Sequence, residues 1–262
     1  MKRLARGLLL LVLLAAAGFL GYGHWRERNL SAVQRGWRVA HDHGCFTCHG
    51  PGGMRGMANP GYFETEPGSY DEVPPFSGGL LTMYAQSEGE IREWILDGLP
   101  ARVRRDPEQM RLRERAVIRM PPWRGIIGGR KLDDLVSYVK AMGDFETPAE
   151  DRPAEGKKVA EEFGCFNCHG PQGRGSMPNV NAFKGYIPSW DGDDFADLAR
   201  SEAEIREWIL DGSAARLRGS RLARFFLARQ PIRMPAYRGW LKEEQVNRLV
   251  DYIRWVRAHP YR

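Results

Sequence analysis

Apolar positions along this chain form one continuous run and then two sets of interrupted stripes. The run covers 7–23, uncharged throughout and preceded by Lys2, Arg3 and Arg6. It lies at the lower limit for a membrane-spanning helix and above the usual core of a signal peptide. Ala15-Ala16-Ala17 could be a cleavage site, but apolar character continues through Phe19, Leu20 and Tyr22, favouring a retained anchor over a cleaved leader. The positive charge before the run places the N-terminus in the cytoplasm and the rest of the chain across the membrane, with Trp25 at the far interface.

Beyond residue 28 the stripes have helical spacing. A short helix is expected around Gly36, Trp37, Val39 and Ala40, and another around Gly156, Val159, Ala160 and Phe163. Gly36 and Gly156 would allow close helix contact. Middle helices are expected over 87–96 and 201–210, where Ser87 and Ser201 are N-caps and Glu90 and Glu204 complete capping boxes. Gly98 and Gly212 stop them. Within them Ile91, Trp94 and Ile95, and Ile205, Trp208 and Ile209, share one core-facing side. Final helices are expected over 132–142 and 243–258, while the Gly- and Pro-rich stretches 50–61 and 170–178 read as loops.

These elements are two copies of one unit. Ile91-Arg92-Glu93-Trp94-Ile95-Leu96-Asp97-Gly98 returns unchanged from Ile205 to Gly212, and Ile118-Arg119-Met120-Pro121 returns as Ile232-Arg233-Met234-Pro235, both at an offset of 114. The composition of 145–153 is that of a linker. The chain therefore divides into an anchor or signal segment, 1–28, and two all-α domains, 29–146 and 147–262.

All four cysteines lie in Cys45-Phe46-Thr47-Cys48-His49 and Cys165-Phe166-Asn167-Cys168-His169, at an offset of 120. The first copy thus carries six extra residues between this motif and its middle helix. C-x-x-C-H is the attachment site of a c-type haem: two thiols at this spacing reach two vinyl groups of one porphyrin edge, and the next histidine falls under the iron. The competing readings are a zinc site and a redox dithiol. A dithiol needs no adjoining histidine, and structural zinc sites rarely repeat in this way, so the motifs predict two covalently attached haem c groups.

The sixth iron position decides between electron transfer and catalysis. His24, His41, His43 and His259 occupy no matching positions in the two copies, and His41 and His43 are too close to the attachment site to reach the opposite haem face, so they read as surface or interhelix residues. Met120 and Met234 do match, in a Pro-flanked loop before the last helix. Met54, Met57, Met83, Met110, Met142 and Met177 lack that frame. The candidate cofactor-binding residues are therefore Cys45, Cys48, His49 and Met120, and Cys165, Cys168, His169 and Met234.

The order of elements, with a helix ending in C-x-x-C-H, a distal methionine loop and a closing helix with an aromatic residue, resembles the class I c-type cytochromes over about 31–143 and 153–258. Such a resemblance implies His/Met-ligated iron, covalent attachment in the periplasm, and a carrier relaying single electrons between redox partner proteins rather than an enzyme. Periplasmic haem domains on a membrane anchor are expected, or a soluble periplasmic protein if the leader is cleaved. Alternatives are a subunit of a larger respiratory or photosynthetic complex and a dihaem enzyme such as a peroxidase or thiosulfate dehydrogenase.

Net charge adds a smaller point. The chain has 39 Lys and Arg against 33 Asp and Glu, an excess that haem propionates would offset in part, and no nucleic-acid partner is expected. Seven arginines lie in 101–119, relieved by Asp106, Glu108 and Glu114; six lie in 214–233 with no acid. Each segment reads as a solvated helix packed on its own domain or as a surface for an acidic partner or anionic lipid.

Overall fold

The computed structural model describes residues 2–61, 72–77 and 79–261. The chain opens with one helix, α1, Lys2–Asn29. Within it Arg6–Trp25 has a mean hydropathy of 1.8, and none of it is buried against the rest of the protein. At 1.5 Å per residue these 20 residues measure about 30 Å, enough to cross the hydrocarbon of a bilayer.

The first repeat contains α2, Ala32–Asp42, α3, Glu88–Asp97, α4, Pro107–Arg115, and α5, Arg130–Met142. The second contains α6, Asp151–Glu162, α7, Glu202–Asp211, α8, Arg221–Arg229, and α9, Glu243–Ala258. Among the described residues there are no strands beyond two isolated bridges, so the fold is all-α.

Each middle helix has its expected serine cap: Ser87 Oγ accepts from Glu90 N at 3.2 Å and Ser201 Oγ from Glu204 N at 3.3 Å. The second half of the capping box differs. Glu90 and Glu204 accept from the amides of Gln86 and Arg200, one residue before the cap, at 2.9 Å in both cases. The sequence expected a linker over 145–153, but α6 already begins at Asp151, because Pro153 sits in a first turn whose amides have no intrahelical acceptor. The basic segments also differ from single helices. Asp106-Pro107 and Ser220 interrupt them, and each forms a short turn, Ala101–Arg104 or Ala215–Gly219, followed by α4 or α8.

In each repeat the first helix crosses the last, α2 on α5 and α6 on α9. A methyl group added to Gly36 would lie 1.9 Å from the Asp134 carbonyl oxygen, and one added to Gly156 would lie 1.9 Å from that of Arg248. Only glycine permits these backbones to meet. Around the crossings are two apolar clusters. One gathers Val33, Ala40, Ile91, Ile95, Leu135, Val136 and Val139; the other gathers Val159, Ala160, Ile205, Ile209, Val246, Val250 and Ile253.

The repeats are joined by more than the linker. Tyr261 packs into the first cluster, with Lys140 Nζ at 4.6 Å and the Arg174 guanidinium at 4.1 Å from its ring centroid. Gln172 donates to Asp144 Oδ1 at 2.8 Å and to the Glu146 carbonyl at 3.2 Å. These contacts fix the second post-motif turn against the end of α5.

Gly156→Ala forces α6 off α9 and is expected to cost on the order of 1–3 kcal/mol, read as a lower midpoint in thermal unfolding of the haem-loaded protein. Gly219→Ala is the control, since an added methyl there meets nothing within 4 Å. Equal midpoints for the two variants would refute the close-crossing account.

Candidate functional site

Each C-x-x-C-H stretch follows directly from a helix crossing. After α2 the chain turns at Gly44, Cys45 N bonds the Ala40 carbonyl at 2.9 Å, and Phe46–His49 form one further helical turn. Cys165 N bonds Ala160 O at the same distance, followed by the turn Phe166–His169. The thiols of all four cysteines are free and half-buried.

Both histidines are held through one ring nitrogen. His49 Nδ1 donates to the Pro74 carbonyl at 2.8 Å and His169 Nδ1 to that of Pro188 at 3.1 Å. Burial pushes both imidazoles below their ordinary 6.5, outweighing the opposing effect of these bonds. The rings are therefore neutral near pH 7, with the proton on Nδ1 and a lone pair on Nε2, the state in which histidine ligates a metal.

Two cavities bring the predicted residues together. One, of about 180 Å³, is lined by Cys45, Cys48, His49 and Met120, with Ile91, Trp94, Ile95 and Leu135 among its walls. The other, of about 410 Å³, is lined by Cys165, Cys168, His169 and Met234, with Ile205, Trp208, Ile209 and Leu249. His24, His41, His43 and His259 line neither. An apolar cavity bearing two thiols, a lone-pair imidazole and a thioether fits haem c.

The other readings of the cysteines fare worse. Burial pushes the Cys45 and Cys165 thiols up to about 11, so they are protonated near neutrality, whereas a redox dithiol depends on a depressed thiol pKa. Among the described residues no three His, Cys, Asp or Glu side chains converge as a metal-binding group, as a zinc site requires.

Several residues that shape the cavities escaped the sequence reading. Asn59 donates to the Ile118 carbonyl at 3.0 Å and accepts from Ile118 N at 2.8 Å. Asn179 does the same with Ile232, at 2.8 and 3.2 Å. These buried amides clasp the chain two residues before each methionine. Their signal was present, since Asn59 and Asn179 each stand ten residues after a motif histidine. The equivalent bridges Ala58 to Glu72 and Pro178 to Tyr186 place the six extra residues between positions 59 and 71. Most of that stretch, 62–71, lies outside the described residues.

The arginine-rich segments act as cavity walls with many of their charges used internally. Arg102 bonds Glu90 and Arg216 bonds Glu204, each with Nε at 2.8 Å from a carboxylate oxygen. Arg113 donates to the Gly98 carbonyl at 2.8 Å, and Arg233 to that of Ala228 at 2.7 Å. Residues 153–257 match the family model for cytochrome c. The chain matches none of the curated proteins and none of the solved structures with which it was compared.

Asn179→Ala leaves Ile232 without its buried partner and is expected to cost about 1–3 kcal/mol, with faster amide exchange at Ile232 and the methionine loop. Exchange unchanged there would exclude the clasp. Hydrogen bonding from Arg216 holds the Glu204 carboxyl down at about 2, against an ordinary 4.5. A lowered folded pKa stabilises above the unfolded value, and that stability is lost as pH falls from about 4.5 toward 2. Acid titration of unfolding should show this loss in the wild type and a shallower slope in Glu204→Gln.

Proposed function

We propose, from the match of residues 153–257 to the cytochrome c family model and the resemblance of both repeats to the class I c-type cytochromes, that the chain is a membrane-anchored carrier of single electrons with one haem c in each repeat. The observation that carries this reading is the meeting, in each of two apolar cavities, of a C-x-x-C-H stretch and the methionine of Ile-Arg-Met-Pro.

Cys45 and Cys48 would hold one haem through thioethers, and Cys165 and Cys168 the other. His49 and Met120 would be the protein ligands of one iron, and His169 and Met234 those of the other. Bound there, haem would supply a one-electron iron couple. The bonds from Nδ1–H to Pro74 and Pro188 keep each imidazole in its ligating tautomer and raise its basicity. Apolar walls exclude water, and this burial, like thioether ligation, would favour the less charged ferrous state. An iron held by both a histidine and a methionine would keep no open position for substrate, so the assignment is electron transfer rather than catalysis.

Helix α1 anchors the repeats at the periplasmic face of the membrane. The partners are redox proteins that donate and accept there, a larger respiratory complex among them.

Met120→Ala and Met234→Ala should each lower the midpoint of one haem while leaving the other near its wild-type value, read in an optical redox titration. The pair Cys45→Ser and Cys48→Ser should remove one of two haems from the intact mass. Rapid stoichiometric carbon monoxide binding to both reduced haems of the wild type would sink the closed-site assignment.

A further inference from the structure

Helix α8 has two faces, and the cavity uses only one. Leu222, Ala223, Phe226 and Leu227 line the second cavity. Arg221, Arg224, Phe225, Ala228 and Arg229 are exposed on the other side, and no acidic residue occurs from 214 to 233. Apolar surface is displayed beside this charge: Phe225 is 47% exposed, Phe183 59% and Val180 66%. Phe183 and Phe225 each pack on Phe226 with centroids 5.3 Å apart, and the Arg229 guanidinium lies 3.7 Å from the Phe225 centroid. The result is a continuous aromatic and cationic surface.

A second observation says what this surface meets. The loop carrying Phe183 touches α1: a methyl group on Gly185 would lie 3.5 Å from the Tyr22 hydroxyl, and the Tyr186 hydroxyl, which donates to Asp194 Oδ2 at 2.7 Å, lies 3.4 Å from the Asn29 carbonyl oxygen. Tyr22 stacks on Trp25, centroids 5.9 Å apart, at the end of the apolar span Arg6–Trp25. Tyrosine and tryptophan at that place sit at headgroup depth. The 183–186 loop is thereby brought to the membrane surface, with α8 beside it.

We propose that α8, with Phe183 and Val180, lies on the anionic lipid surface from which α1 emerges. Phe225, Phe183 and Val180 enter the headgroup region while Arg221, Arg224 and Arg229 pair with lipid phosphates. Interfacial helices have this composition, rich in arginine with aromatic anchors. An acidic protein would satisfy the arginines equally well, but it would not account for exposed phenylalanines placed next to the anchor. Because the opposite face of α8 walls the second cavity, lipid contact would hold that wall closed.

The proposal rests on α1 being a retained anchor, and the test separates the two. In the haem-loaded full chain the native cysteines are consumed by thioethers, so an introduced cysteine is the one that takes a nitroxide. Labels at Leu13→Cys and Ala228→Cys are compared in nanodiscs of phosphatidylcholine alone and of roughly equal parts phosphatidylglycerol and phosphatidylcholine. Collision with oxygen reports lipid; collision with a nickel chelate reports water.

The Leu13 label should be in lipid in both discs. The oxygen-to-nickel ratio at Ala228 should rise with phosphatidylglycerol to that of a lipid-docked label, since three arginines at about fivefold each favour the anionic surface by roughly a hundredfold. Arg221→Gln, Arg224→Gln and Arg229→Gln together should abolish that rise with haem content unchanged. A Leu13 label in lipid with an Ala228 label equally nickel-accessible in both discs overturns the lipid contact alone. An Ala228 label immobilised by polyglutamate but not by anionic lipid identifies an acidic protein surface and also overturns it. Loss or hydration of the Leu13 label overturns the anchor and this proposal together.

Discussion

The glycine-mediated helix crossing is the constraint from which the rest of each repeat follows. Gly36 and Gly156 each stand nine residues before the first cysteine of their motif. When the backbone of α2 meets that of α5, and α6 that of α9, the register of the next two turns is fixed. Cys45 and Cys165 then turn back onto Ala40 and Ala160 through identical hydrogen bonds, and the imidazole that follows is delivered to the cavity wall. A larger residue at the crossing would disturb packing and also the aim of the histidine several residues on.

The two repeats share this frame while the sequence around it differs. Tyr138 in α5 donates to the Gly52 carbonyl at 2.8 Å, and Tyr252 in α9 donates to the carbonyl of Gln172 at 3.1 Å. Both acceptors have left-handed backbones, with φ of 60° for Gly52 and 56° for Gln172. Glycine adopts this freely, whereas a side chain there costs about 1–2 kcal/mol. Gln172 offsets the strain by bonding Asp144 and the Glu146 carbonyl of the first repeat. The second turn has thus become an interface residue, and the strain falls where the two units join.

Much of this was legible because the relevant signals are local. The C-x-x-C-H stretches, the serine caps and the methionine frames each occupy a few consecutive residues, and the repeat supplied their correspondence. The Asn59 and Asn179 clasps were not read, because their partners Ile118 and Ile232 lie 59 and 53 residues away and asparagine in a loop usually serves its own turn. The internal use of the arginines was hidden for a similar reason. Glu90 and Glu204 read as capping-box residues, yet their carboxylates also take Arg102 and Arg216 twelve positions on. Tyr261 gave no sign of entering the core of the other repeat, since neither periodicity nor motif carries across a domain boundary.

The cavity walls show why two copies of a frame need not yield two copies of a site. At the offset of 114 that aligns the methionines, Arg113 corresponds to Leu227, and each lines its own cavity. Arg113 is held by the Gly98 carbonyl at 2.8 Å and approaches that of Met120 at 3.4 Å, so a fixed positive charge stands by the first methionine where the second has an alkyl group. A nearby cation favours the reduced, less positive iron, and so does an apolar wall that excludes water, but they act differently. The charge acts through distance and is screened by solvent; the apolar wall acts only while it stays closed. On the proposed reading, the first haem is tuned by an arginine locked within its own repeat. The second depends on how well the α8 wall, whose outer face carries the exposed Arg221, Arg224 and Phe225, is kept in place.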